Sequence, residues 1–209
     1  MDIQYYGANC VRLTDKKASV VVDDNLVSLG LKSVTKPDDI SIFTLDKKVK
    51  NGSRFLVEGP GEYEISDISI RGIPVRAHLD EDGSRATMYG IEMQNFNIAV
   101  LGHIHPDLTD DHLEELGVVD VLIIPVGGNG YTLDANAAAH LVKKIEPKIV
   151  IPTHYSDKAI HYEVPQADLE LFLKEMGVSE PETLDSLKVK ESEIGDKTRL
   201  VILNRQVSK

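Results

Sequence analysis

Cysteine is almost missing from this chain: Cys10 is the only one, so no internal disulfide can form. Histidine is missing from the first 77 residues. No apolar run approaches the roughly 20 residues of a membrane-spanning helix. The opening MDIQYYGANC has no basic stretch followed by an apolar core, so it does not read as a signal peptide. Positive charge is scarce as well. Twenty-three Lys and Arg face 34 Asp and Glu, a formal net charge of −11. That balance, with no interleaving of basic and aromatic residues, opposes binding to nucleic acid or to an anionic membrane surface. Together these absences predict a cytoplasmic protein that partners neither nucleic acid nor membrane.

What remains is a 209-residue chain with 42% hydrophobic and 27% charged residues, enough for one substantial core. The first half reads as short strands over residues 3–6, 10–14, 18–23, 40–44, 55–57, 62–65, 68–70 and 73–76. A hairpin follows over 87–94 and 97–101, turning at Asn95-Phe96. After Gly102 strands alternate with helices. Thr109 is positioned to cap a short helix beginning with Asp110 and Asp111. Residues 121–125 and 148–152 are buried strands. Between them a helix starts at Asp134 or Thr132 and presents Ala138, Leu141, Val142 and Ile145 on one face. Leu169, Phe172, Leu173 and Met176 predict another helix ended by Gly177. Residues 198–203 close as a strand, and the acidic segment 179–196 reads as a loop excursion.

Chemistry concentrates in residues 99–155. His103-Ile-His105-Pro-Asp107 places three potential metal ligands in five positions, and a buried strand there ends in His154. Elsewhere the signals are weaker. Gly127-Gly128-Asn129-Gly130 lies between strand and helix but lacks the Lys-Ser/Thr of a phosphate loop. His112 and His140 read as solvated helix residues, and Cys10 as buried and inert.

Several motifs in order resemble the metallo-β-lactamase fold, in its branch of zinc-dependent hydrolases: IQYYGANC…VVVDD, VEGPGEYEI, IRGIPVRAHLDEDGSRATMYGIEM, LGHIHPDLTDDHLEELGVVDVLIIPVGG and IEPKIVIPTHY. The resemblance spans nearly the whole chain. It implies a single domain, an αββα four-layer sandwich of mixed α/β class, with the site at one end of two sheets.

It also implies a set of metal ligands, most of which are gone. A His-x-His-x-Asp-His motif belongs just after residues 40–44, where this chain reads Thr44-Leu45-Asp46-Lys47-Lys48-Val49-Lys50. The Gly-His-Ser-Cys turn has become Gly7-Ala8-Asn9-Cys10. The Gly-Asp segment that supplies a bridging carboxylate has become Gly102-His103. His78 and His154 stand at retained ligand positions.

The expectation is therefore a catalytically inactive or reduced member that holds no cofactor and acts by binding a small molecule or a protein partner. The alternative is a hydrolase with one zinc, manganese or iron ion at a rearranged site of His78, His103 and His154. In that reading His105 lies on the same side of a strand as His103, and Asp107 and Asp23 stand behind the ligands.

Overall fold

The computed structural model describes residues 1–45, 52–79, 86–195 and 197–207. Two sheets organise it. The first has six strands: β1 (Asp2–Gly7), β2 (Cys10–Thr14), β3 (Ser19–Val22), β4 (Ile40–Ile42), β5 (Phe55–Val57) and β13 (Leu187–Lys188), in the order β13-β1-β2-β3-β4-β5. The second has eight: β6 (Gly61–Ile65), β7 (Ile68–Val75), β8 (Ala86–Met93), β9 (Phe96–Val100), β10 (Val121–Pro125), β11 (Ile149–Thr153), β12 (Glu182–Leu184) and β14 (Arg199–Leu203), ordered β12-β14-β11-β10-β9-β8-β7-β6.

Alternation along the strands builds the layers. Val20, Val22, Val121, Ile123, Ile149 and Ile151 point into a core between the sheets. Leu122, Ile124, Val150 and Leu200 point the other way, into a second core beneath helices α1 (Asp110–Leu116), α2 (Ala135–Ile145) and α3 (Leu169–Glu175). Strands β10 and β11 are buried on both faces, which is why they read as unbroken apolar runs. On the outer face of the first sheet, Cys10 and Val21 lie under Leu26, from the 3₁₀ turn Leu26–Leu29. This is the expected αββα sandwich, with its first outer layer reduced to that turn and its flanking loops among the described residues.

Local chemistry accounts for most boundaries. Thr109 caps α1 and Asp134, not Thr132, caps α2, each accepting a backbone N–H three residues on. His112 is more than a solvated residue: it closes a capping box by accepting the Thr109 N–H. The β8–β9 hairpin turns at Gln94-Asn95, both at positive φ, one residue before the expected position. The two short strands expected over residues 68–70 and 73–76 form one strand, Ile68–Val75. The acidic segment is not a plain loop either. Its 182–184 and 187–188 stretches pair at the outer edges of the second and first sheets respectively.

Candidate functional site

Strands β3 and β4 run parallel in the first sheet, and β9, β10 and β11 run parallel in the second. Parallel strands end on one edge, so the residues just past them converge. Asp23 follows β3, Thr44 follows β4, Gly102-His103 follow β9 and His154 follows β11. Asn9 joins them from the β1–β2 turn, where the Ala8 carbonyl accepts the His154 N–H at 2.8 Å.

Hydrogen bonding links these side chains closely. Thr44 donates its hydroxyl to Asp23 Oδ2 at 2.6 Å, and its backbone N–H to Asp23 Oδ1 at 2.7 Å. A hydroxyl has one proton, so Thr44 Oγ1 accepts at 2.9 Å from His103 Nδ1, which must then carry the imidazole hydrogen. Asn9 Nδ2 lies 3.4 Å from the His103 ring, and Asn9 Oδ1 accepts from the Thr153 hydroxyl at 3.0 Å. On the other side, His154 Nδ1 donates to Gln166 Oε1 at 3.0 Å, while the Gln166 amide is fixed by donating to the Val164 carbonyl at 2.7 Å. The two imidazoles meet edge to face with centroids 5.3 Å apart, and Tyr131 packs against both. Asn9, Asp23, Thr44, His103, Thr153 and His154 are all buried. Burial holds the His154 pKa down to about 4, against a smaller upward pull from Gln166.

Two glycines allow this closeness. A Cβ on Gly102 would stand 2.2 Å from Thr44 Oγ1, and Gly102 has φ +57°. A Cβ on Gly127 would stand 2.0 Å from the His154 carbonyl oxygen and 2.4 Å from Gln166 Oε1. The Gly127–Gly130 turn is thus a spacer beneath His154, and the Gly128 N–H is used internally by Leu133 and Thr132.

The four sequence-predicted histidines separate into two pairs. His103 and His154 form the buried one. His78 and His105 form the other, half-buried, with ring centroids 5.6 Å apart. The expectation that His103 and His105 share one side of a strand is corrected. Strand β9 ends at Val100 and Gly102 turns the chain. Ile104 then bridges Ala77, so His103 goes inward while His105 stays near the surface. Asp23 does stand behind His103, at 3.8 Å, whereas Asp107 is exposed and contacts His105 at 3.2 Å. Burial, Arg76 and His78 lower the His105 pKa, with Asp107 opposing. Asp46, Lys47, Lys48, Val49 and Lys50 lie outside the described residues. Thr44 and Asn9 read in the sequence only as replaced ligands. Tyr131 and Gln166 carried no sequence signal, because each arrives from a loop.

The Beta-lactamase superfamily domain profile matches residues 2–154, well over half of the chain. The chain belongs to this superfamily. Its relatives include proteins named as metal-dependent hydrolases. A UPF0173 protein of Pyrococcus furiosus is 33% identical over 113 residues, a match spanning 53% of this chain and about half (49%) of that protein's length. A UPF0173 metal-dependent hydrolase of Natranaerobius thermophilus is 23% identical over 207 residues, 84% of this chain and 91% of that one. Among solved structures, a Thermotoga maritima protein assigned to the Zn-dependent hydrolases of the superfamily superposes with a TM-score of 0.77 at 22% identity, covering 97% of each chain.

A metal is the group those names imply. A catalytic zinc needs about three protein ligands around one point. Among the described residues, no group of three or more His, Cys, Asp or Glu side chains is gathered to hold one ion. Asp23 and the Nδ1 atoms of His103 and His154 face Thr44 and Gln166 instead. The described residues do not fit the implied metal.

Proposed function

We propose that this protein is a member of the superfamily that does not hydrolyse through a bound metal, and that it acts by binding a small molecule or a protein partner. The observation that carries the reading is the position of Thr44. Its one hydroxyl joins Asp23 and His103 at 2.6 and 2.9 Å at the convergence of the strand ends. A hydrogen-bonded brace between the two sheets at this edge supports a binding role rather than a hydrolytic one. The departure of Gly102-His103 from the Gly-Asp pair supports it further, since His103 donates to Thr44 where a carboxylate would bind a cation.

Elemental analysis of protein purified without chelator tests this, followed by calorimetric titration with zinc, manganese and ferrous iron. The expected result is less than about 0.1 equivalent of each metal and no saturable uptake. Stoichiometric metal that disappears in a His103→Ala, His154→Ala double variant would overturn the proposal in favour of a mononuclear hydrolase.

A further inference from the structure

A groove lies away from this site, at the other end of β9. It has a volume of about 560 Å³ and is open to solvent on the outer face of the second sheet. Cross-strand register builds its floor from two rows. Glu64, Ser69, Glu92 and Asn97 stand opposite one another in the first, and Glu62, Arg71, Gly90 and Ala99 in the second. Rows two residues apart share a face, so Glu62, Glu64 and Glu92 project together, with Glu115 of α1 on the rim. Arg71 is the basic residue lining the groove. It is committed to Glu62 at 3.2 Å and to the Glu115 carbonyl at 3.1 Å. Among the described residues, Glu64, Glu92 and Glu115 have no cation partner.

The groove also borders an open strand. β6 is the last strand of its sheet, and Gly61, Glu62 and Glu64 are exposed. An edge strand presents unpaired backbone donors and acceptors that an added strand can satisfy.

We propose that β6 and this groove form a docking surface for an extended basic peptide segment, which adds to the second sheet as a further strand. Side chains at alternate positions of such a strand fall on the face of Glu62 and Glu64, about 7 Å apart. Lys or Arg at those positions meets the carboxylate of Glu64, which has no cation partner among the described residues, and that of Glu62 beside Arg71, and the backbone supplies the ladder. The segment is thus recognised by two independent features, charge of one sign at a period of two and a free backbone edge.

Fluorescence anisotropy with a labelled ten-residue peptide of alternating Lys and Thr tests this on the full chain. Saturable binding is expected with a Kd below about 1 mM, and about tenfold weaker at 0.3 M than at 0.05 M NaCl. A Glu64→Lys, Glu92→Lys variant, whose fold is checked by its thermal melt, is expected to bind about tenfold more weakly. A Lys–Thr peptide N-methylated at alternate backbone nitrogens keeps the charges but cannot form a ladder, and is expected to lose binding. Any of three results overturns the proposal: equal binding of a Glu–Thr peptide, no change in the double variant, or full binding of the N-methylated peptide. The metal measurements read the opposite end of β9, so either proposal can fail without the other.

Discussion

Thr44 and Gly102 are the residues on which the candidate site most depends. Replacing Thr44 by valine keeps the shape but removes the hydroxyl that serves Asp23 and His103, leaving a buried carboxylate short of a donor. Thr44→Val is expected to lower the unfolding free energy by roughly 2 kcal/mol, read from urea denaturation. Gly102→Ala adds a Cβ 2.2 Å from Thr44 Oγ1 at a φ of +57°. It is expected to destabilise by about 3 kcal/mol, from overpacking and left-handed strain together. His154 sets a pH dependence. Its pKa falls from an ordinary value near 6.5 to about 4 on folding, so the unfolded chain binds the extra proton between those values. Its contribution to stability is complete above pH 6.5 and is lost as the pH falls toward 4, by roughly 3 kcal/mol in all. Chemical denaturation at pH 7 and at pH 4.5, compared between the parent and His154→Gln, checks it; a smaller pH dependence is expected in the variant. Of this cluster, His103, His154 and Asp23 were legible in the sequence because their residue types bear chemistry. The bonding role of Thr44, and the presence of Gln166 and Tyr131, were not, since threonine, glutamine and tyrosine acquire a site role only from their neighbours.

At the scale of elements, local chemistry was informative wherever it is self-contained. The caps Thr109 and Asp134 mark the starts of α1 and α2 because each satisfies a backbone N–H within its own turn. Asp134→Ala is expected to cost about 1 kcal/mol, measured as a lowered midpoint in thermal or urea unfolding. Strands buried on both faces, β10 and β11, announced themselves as apolar runs. The edge strands β12 and β13 did not. Their sequence, ETLDSLK, is polar and short, and it becomes strand only by pairing with β14 and β1. The same limit governed His103 and His105. Alternation predicted one side for both, but a turn at Gly102 is a tertiary fit against Thr44 and overrides the period of two.

For the whole molecule, the net charge of −11 opposes compaction through self-repulsion. Raising NaCl from 0.02 to 0.2 M shortens the Debye length from about 20 Å to below 10 Å. The melting temperature is accordingly expected to rise, and a fall measured by calorimetry would show that specific ion pairs outweigh the overall repulsion. The sandwich itself was readable from ordered motifs along the chain, because each motif encodes a strand or turn and their order encodes the topology. The sequence by itself also determined that no histidine precedes His78, since a missing residue type needs no geometry to be known. Only the tertiary structure decided which side chains meet at the strand ends. Asp23, Thr44, His103 and His154 lie far apart in the chain, and it is the shared edge of parallel strands from two sheets that brings them within hydrogen-bonding or ring-contact distance.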